Sequence, residues 1–336
     1  MACFDNTLPA NACSQPLLSF VVIGYNESAT LSACIRSIRE AELSGVPFEV
    51  IYVDGGSNDG SLDVARAAGC DLVLAAEERR KAPKNRNVGA AHAKGTFLQF
   101  LDGDMVMAPS WPKKALEFIV TREDVGVVFG ELREMRSSFL YKILELDWIQ
   151  GEGEVAFCGG AAIFRRSVFI EAGGFPEDVS FGEEPLLCWR IRNHLHKKVM
   201  KLSELMAYHD LAFRGFSDYW RRCVRSGWAY AEVSHRCAGA SDRMWQRECR
   251  ANYRWAAALL AGLMLLLFAP IVWRLAVLIV AGIVLFRKTF QVVRKGHPWS
   301  IALGYAVHTY FAKLPLAYGQ IKWSLVSKRL SRNNKG

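Results

Sequence analysis

Short apolar runs alternate with amphipathic stretches over the first hundred residues. The apolar runs predict strands, and stretches with apolar residues every three or four positions predict helices. The predicted strands are 17–24, 48–53, 71–75 and 96–101, and the predicted helices are 29–43, 61–68 and 86–94. Each of the longer strands ends in polar, acidic or glycine-rich residues, which favours an α/β fold. We expect a doubly wound, mostly parallel sheet with its ligands at the carboxyl ends of the strands.

The alternation becomes less regular beyond residue 125. Strands are predicted at 127–132 and 161–164 and a helix at 185–194, followed by a helix at 213–234. The last helix interleaves aromatic residues with arginines, a pattern typical of a helix lying in the membrane interface. A plain amphipathic helix covering the sheet is the alternative.

Residues 255–286 form an apolar run of 32 residues that only Pro270 and Arg274 interrupt. As one helix it would be about 48 Å long, well beyond the roughly 30 Å of a bilayer's hydrocarbon core. Folding at 270–274 gives a helical hairpin that either spans a thinned bilayer or re-enters it. A membrane-associated helical region is therefore expected after the sheet.

The charge of the chain is unevenly distributed. Residues 251–336 hold 12 Lys and Arg and no Asp or Glu, whereas the rest of the chain holds 30 basic and 33 acidic residues. Because the basic residues flank apolar runs, we expect them to meet anionic membrane lipids rather than nucleic acid. Residues 301–318 predict an interfacial helix, or alternatively a third span, followed by a basic tail.

These patterns give an expected domain organisation. An N-terminal extension (1–16) precedes the sheet domain (17–212), which divides into residues 17–108 and 109–212, then amphipathic helices (213–250) and the membrane region (251–336). Nine scattered cysteines without a C-x-x-C pair indicate reduced thiols. With no signal-peptide pattern at the start, the sheet domain is expected on the cytoplasmic side of the cell (inner) membrane.

An acidic turn, Asp102-Gly103-Asp104, ends one of the predicted strands. Two carboxylates there suit Mg²⁺ or Mn²⁺ bound to a diphosphate. The segment Val53-Asp54-Gly55-Gly56 ends a neighbouring strand, and its glycines permit close backbone approach to a ligand.

Four motifs in this order make the chain resemble the family 2 glycosyltransferases of the GT-A fold, over residues 17 to about 228. They are Tyr25-Asn26-Glu27, the Asp54 segment, Arg86-Asn87-x-Gly89 and Asp102-x-Asp104. The resemblance implies that residues 17–212 are the catalytic domain, with a nucleotide half (17–108) and an acceptor half (109–212). It also implies that Tyr25, Glu27 and Asp54 hold the nucleoside of a UDP-linked sugar. It further implies that Arg86 meets the diphosphate or orients an aspartate, unless it is a surface helix residue. Asp102 would contact ribose or metal, and Asp104 would coordinate the metal.

The resemblance also extends to an acidic pair, Glu183-Glu184, followed by Pro185. Proline suits a first helical turn, which places Glu184 at a helix N-terminus. Glu184, or alternatively Glu183, would deprotonate the acceptor hydroxyl, giving inversion in one displacement. His209 lies where relatives often place a metal-adjacent residue, and we expect either a further ligand or an ordinary histidine.

Polysaccharide synthases among these relatives carry Q-x-x-R-W, whereas this chain has Arg222-Cys223-Val224-Arg225-Ser226. The departure favours transfer of one sugar over polymerisation. The expected function is therefore a metal-dependent inverting glycosyltransferase acting on a lipid-linked or membrane-associated acceptor in glycan or polysaccharide biosynthesis. The alternatives are a catalytically silent membrane scaffold that binds nucleotide or glycan, and a sugar nucleotidyltransferase.

Overall fold

The computed structural model describes residues 17–147, 151–239 and 242–333, with side chains to residue 329. The predicted N-terminal extension, 1–16, lies outside the described residues. The strands are β1 (Leu18–Gly24), β2 (Phe48–Asp54), β3 (Leu72–Leu74), β4 (Phe97–Asp102), β5 (Met105–Met107), β6 (Val125–Glu134), β7 (Gly153–Glu154), β8 (Ala162–Arg165) and β9 (Lys198–His209). The helices are α1 (Leu31–Arg39), α2 (Ser61–Ala67), α3 (Ala82–His92), α4 (Trp111–Val120), α5 (Phe139–Glu145), α6 (Arg166–Glu171), α7 (Glu183–His194), α8 (Phe216–Arg236), α9 (Gln246–Phe268), α10 (Ile271–Val293), α11 (Trp299–Phe311) and α12 (Lys313–Asn333).

The nine strands form one sheet in the order β3-β2-β1-β4-β8-β6-β9-β5, with β7 paired to β9. The first four strands in this order are parallel, as the alternation of strands and helices predicts. β8 joins β4 antiparallel, and β5 joins β9 antiparallel. The α/β prediction is confirmed; the sheet as a whole is mixed, because its parallel half is extended by antiparallel strands.

Two compact units make up the described chain. The first contains residues 17–131, 151–177 and 190–209, and the second contains residues 132–147, 178–189 and 210–333. The second unit thus draws two segments from the stretch that the sequence assigns to the catalytic domain. One reason is that α5, within the first of these segments, packs on α11.

The core of the first unit lies on the parallel strands. β1 is buried along nearly its whole length, as expected for a strand covered on both faces. Helix α3 lies close against it, because a Cβ at Gly89 would collide with the side chain of Val21. Phe100, Phe164 and Phe175 pack edge to face beside these strands.

Helix α3 begins at Ala82 instead of residue 86, the predicted start. Pro83 lies in its first turn, where a missing N–H costs nothing. Arg86 is therefore inside the helix and only 3% exposed, so the interpretation of Arg86 as a surface residue is wrong.

The apolar run folds into two helices, α9 and α10, that separate at Ala269 and Pro270. Two hydrogen bonds account for a charged residue within the apolar run. The guanidinium of Arg274 donates to the carbonyl oxygens of Ala269 (2.8 Å) and Leu267 (3.3 Å). It thereby satisfies acceptors that the end of α9 leaves open. Among the described helices, α9 is long and apolar enough to cross a membrane by length and composition.

The helix predicted over 301–318 is instead two helices, α11 and α12, which meet at Ala312. Pro315 accounts for the break, because proline has no backbone N–H to donate to the preceding turn. Proline is therefore tolerated in the first turn of a helix and not in its interior. The predicted basic tail is helical as far as residue 333, because α12 continues through it.

Helices α8 and α12 form a close contact within the second unit. A Cβ on Gly227 of α8 would collide with the carbonyl oxygen of Leu316, and a Cβ on Gly319 of α12 with that of Val224. The two backbones therefore approach one another at positions where only glycine fits. The helix predicted over 213–234 is confirmed as α8, and within its unit it packs on α12 and α9.

Candidate active site

Two loops at the carboxyl ends of β1 and β2 are joined by hydrogen bonds. The amide of Glu27 donates to Ser61 Oγ (3.0 Å), and the amide of Ser28 donates to Asp59 Oδ2 (2.9 Å). These bonds fix Glu27 beside the second loop. The strand ends of the parallel sheet thus carry one connected polar surface, as the fold class requires of a ligand site.

Asp54 organises the loop that follows β2. Its side chain is buried, and Oδ2 accepts hydrogen bonds from the amides of Gly56 (2.8 Å) and Ser57 (2.7 Å). Its Oδ1 accepts from the hydroxyl of Tyr52 (3.2 Å). The predicted contact of Asp54 with a nucleoside stays a prediction, whereas its loop contacts give it a structural role that the sequence reasoning missed.

Arg86 is a positioning residue for Asp102. Its Nη2 donates to Asp102 Oδ1 at 2.8 Å, and the arginine side chain is 4% exposed while the aspartate is 33% exposed. The guanidinium also lies over the ring of Phe175, 5.5 Å from its centroid. Of the roles that the sequence left open for Arg86, orienting an aspartate is the one that the described contacts support.

Asn87, next to Arg86, holds a distant segment in place. Its side chain accepts from the amide of Phe175 (2.9 Å) and donates to that residue's carbonyl (2.8 Å) and to Glu177 (2.9 Å). The Arg-Asn-x-Gly motif therefore has three structural roles: positioning an aspartate, anchoring residues 175–177, and packing α3 on β1. Sequence reasoning did not foresee the second of these roles.

Asp104 and His209 come together although 105 positions separate them. Strand β5 pairs with β9 so that Met105 lies opposite His209, and His209 Nε2 is 3.7 Å from Asp104 Oδ2. A carboxylate oxygen and an imidazole nitrogen at this spacing suit one divalent cation, Mn²⁺ in particular. The described residues contain no group of three or more His, Cys, Asp or Glu arranged for a metal ion.

Glu27 experiences the concentrated negative charge of this region. Partial burial, with Asp104, Asp102 and Asp59 nearby, raises the pKa of its carboxyl to about 7. The hydroxyl of Thr30 donates to Glu27 Oε2 (3.1 Å) and opposes this shift only in part. Three carboxylates within electrostatic reach of Glu27 make this region favourable for positive charge.

Tyr25 borders a basic loop that sequence reasoning did not single out. The guanidinium of Arg79 lies 4.3 Å from the centroid of the Tyr25 ring, and the amide of Arg80 donates to the carbonyl of Gly55 (3.1 Å). The loop approaches so closely that a Cβ on Gly56, which has φ +89°, would lie 2.9 Å from the backbone of Glu78. A cavity of about 630 Å³ lies there, lined also by Lys81 and Lys84. The run of basic residues at 79–84 was the signal available in the sequence.

The acidic pair occupies the first turn of α7, as predicted. Glu183 and Glu184 are both half-buried there, and Pro185 behind them is buried. Gly182 precedes them at φ +91°, where a Cβ would lie 2.8 Å from Val233 of α8. Helix α7 is thus fixed at its start, and the two carboxylates lie at the helix end that favours negative charge.

The comparisons with known proteins concern the family and the fold. Residues 19–173 match the family model Glycosyl transferase family 2. An uncharacterized protein of Mycobacterium tuberculosis is 29% identical over 189 residues, covering 49% of this chain and 59% of the relative. A PGL/p-HBAD biosynthesis glycosyltransferase of Mycobacterium bovis is 28% identical over 168 residues, covering 48% and 64%. The chain thus spans about three fifths of the length of these two curated relatives.

Among solved structures, the mannosyltransferase PcManGT of Pyrobaculum calidifontis, in complex with GDP-Man and Mn²⁺, is similar with a TM-score of 0.66. The match covers 91% of this chain and 87% of that one at 18% identity, so it concerns the fold. The fold is therefore GT-A-like, with the candidate site at the ends of the parallel strands. Residues 19–173 form a family 2 glycosyltransferase domain.

Proposed function

We propose that the protein is a metal-dependent, inverting glycosyltransferase that moves one sugar from a nucleotide-sugar to a lipid-linked or membrane-associated acceptor. The proposed donor is a UDP-linked sugar. The observation that carries the proposal is the pairing of Asp104 with His209 beside the Asp102–Arg86 ion pair. Both pairs lie at the carboxyl end of β4, where an α/β sheet binds its ligand.

In this function Asp104 and His209 would hold Mn²⁺ or Mg²⁺, and Arg86 keeps the carboxylate of Asp102 oriented beside them. A cation bound there would supply positive charge against the negative charge that grows on the departing nucleoside diphosphate. Tyr25, with Arg79 against its ring, and Glu27 border the nucleotide. The basic residues of the 79–84 loop attract the negatively charged donor.

The transfer itself needs a base. Glu184, or alternatively Glu183, takes the proton of the acceptor hydroxyl while that oxygen bonds to the anomeric carbon. The bond from this carbon to the phosphate oxygen breaks, and the electron pair leaves with the nucleoside diphosphate. Attack opposite the leaving group inverts the anomeric centre.

The surface of the second unit supports a membrane location for the protein. Large apolar side chains on α9 and α10 are exposed, among them Phe268 at 75%, Val272 at 71% and Leu278 at 57%. Such a continuous apolar surface is typical of a lipid contact. We place the catalytic domain on the cytoplasmic side, since basic residues follow the hairpin.

The test is nucleoside diphosphate release by the detergent-solubilised protein, offered UDP-sugars and GDP-mannose with native lipid extract, with and without Mn²⁺. Asp104→Asn and Glu184→Gln should each lower the release by about a hundredfold or more. Asp63→Asn is the matched control, because Asp63 is a surface aspartate paired only with Arg66 on α2. Donor binding without release in any lipid extract would instead support the silent scaffold.

A further inference from the structure

A second cavity, of about 400 Å³, lies in the second unit where the chain leads into α8. Its lining includes Phe213 and the charged residues Arg214, Asp218, Arg221, Arg222 and Arg225. These residues are distinct from those proposed to bind the metal and the nucleotide and to act as the base. Two of them belong to the segment 222–226 that departs from the pattern of the polysaccharide synthases.

The charge of this cavity is strongly unbalanced. Four guanidinium groups face one carboxylate, and Asp218 is already engaged. It accepts from the amide of Arg214 (3.0 Å) and from Arg221 Nη2 (2.8 Å), and these contacts hold its pKa below the usual range. Among the lining residues, positive charges exceed negative ones by three, and the single carboxylate is used to fix the start of α8. Asp147 and Glu134 act on Arg222 from outside the lining.

The four arginines differ in their access to water. Arg214 is 90% exposed and Arg221 is 62% exposed, so the entrance is open. Arg222 lies deeper, where burial lowers its pKa because a charged guanidinium loses hydration there. Arg221 and Arg225 are four residues apart and so project from one face of α8. The cavity thus offers cations at its entrance and at its base.

We propose that this cavity binds the phosphate or diphosphate group of an amphiphilic molecule, the lipid-linked acceptor. Guanidinium groups bind phosphate oxygens through paired, charge-assisted hydrogen bonds, and several of them converge here. Phe213 and Leu211 add an apolar wall beside the arginines. The exposed apolar surface of α9 and α10 belongs to the same unit and accommodates a hydrocarbon chain. The proposal that the cavity binds phosphate does not depend on the proposed function. The proposal that the bound molecule is the acceptor rests on the proposed function.

The test uses the full chain in detergent micelles and three probes: a short-chain prenyl monophosphate, the corresponding prenyl alcohol and inorganic pyrophosphate. The cavity variant carries Arg221→Gln and Arg225→Gln together. The matched control carries Arg247→Gln and Arg250→Gln, which remove the same charge from exposed positions on α9. Melting temperatures of both variants establish that they fold.

We expect the cavity variant to bind prenyl phosphate at least about tenfold more weakly than the parent, and the control to match the parent. The alcohol should bind weakly and equally to all three proteins. Pyrophosphate that binds as tightly as prenyl phosphate would mean a site for free phosphate and would overturn the assignment to an amphiphile. Equal affinities in the cavity variant and the control would overturn the site altogether.

Asp104→Asn separates this inference from the proposed function. That variant should lose Mn²⁺-dependent nucleotide binding and keep prenyl phosphate binding, whereas the cavity variant should do the reverse. In turnover, the cavity variant should raise the KM for the acceptor and leave the KM for the donor unchanged. Failure of the donor assays with retained prenyl phosphate binding would reject the transferase and keep the phosphate site.

Discussion

At the scale of single residues, the Arg86–Asp102 pair shows how a motif residue can act without touching a ligand. The arginine is buried, and its Nη2 donates to the carboxylate of Asp102, which is one third exposed. An arginine of this kind selects one orientation of a carboxylate that would otherwise move among several. Partners that orient ligand-binding groups in this way commonly contribute a factor of ten to a hundred in affinity.

We therefore predict that Arg86→Met weakens Mn²⁺-dependent donor binding about ten- to a hundredfold. Stability should fall by only about 1–2 kcal/mol, because the aspartate left behind still reaches water. Arg86→Lys should recover part of the binding, since it restores the charge but not the planar fork. Nucleotide titrations over a range of Mn²⁺ concentrations measure this.

Arg66→Met, which breaks the exposed pair with Asp63 on α2, is the control for that experiment. It should leave both donor affinity and Mn²⁺ dependence at the parental values. A purely structural role for Arg86 would lower the melting temperature without moving the Mn²⁺ dependence, and that result would contradict the prediction.

Glu27 gives a pH dependence at the same scale. Its pKa of about 7 in the folded chain exceeds the value of 4.5 for a free carboxyl, so between these values the folded state binds more protons than the unfolded state. Raising the pH from 5 to 8 should therefore destabilise the metal-free protein, by about 1–2 kcal/mol once partial exposure is considered. Glu27→Gln should remove this part of the slope in melting temperatures recorded from pH 5 to 8. An unchanged slope would mean that another group carries the dependence.

At the scale of elements, the contact between α8 and α12 depends on two glycines. Gly319→Ala places a methyl group against a backbone carbonyl that no rotamer change can move, so the helices must separate. We predict a loss of about 1–3 kcal/mol, as for other overpacked sites. Gly282→Ala on α10 is the control: a Cβ there meets nothing within 4 Å, and it should stabilise the helix slightly. Equal melting temperatures for the two variants would contradict the close packing.

The elements also show which parts of the fold the sequence could predict. Periodicity and turn chemistry are local, so the parallel strands and the break at Pro270 were predictable. The meeting of Asp104 with His209 could be expected only from the family resemblance, because it depends on the register between β5 and β9, which no local pattern specifies. The split at Ala312 was missed for a different reason: the apolar pattern continues across it, and only Pro315 marks it.

At the scale of the whole molecule, the two units differ in surface chemistry. The first unit supplies the carboxylates and the basic loop at the strand ends. The second supplies the exposed apolar surface of α9 and α10 and the arginine cavity. A water-soluble donor needs a polar surface, and an amphiphilic acceptor needs an apolar one. Under the proposed function, the first unit therefore binds the donor and the second binds the acceptor.

The apolar surface of α9 and α10 predicts that the protein is inserted in a membrane. We expect the protein to stay with membranes after an alkaline carbonate wash, because this surface would otherwise face water. Ile279→Lys with Ile283→Lys places two charges on exposed positions of α10, 63% and 54% accessible. Each charge costs about 2.5–3.5 kcal/mol at the centre of a bilayer, so this variant should shift to the soluble or degraded fraction.

Val120→Lys with Ile170→Lys is the matched control, since both residues are exposed apolar side chains of the first unit. This control should stay in the membrane fraction.

A second measurement applies if the α10 variant is degraded before fractionation. The parent is reconstituted in brominated lipid, and quenching of its Trp273 fluorescence, measured against the Trp273→Phe variant, tests whether the hairpin is inserted in the bilayer. Trp273 is 60% exposed and lies just after the break between the helices, so strong quenching places the turn inside the bilayer. Release of the parent by carbonate, together with an unquenched Trp273, would reject membrane insertion and leave the apolar surface to a protein partner.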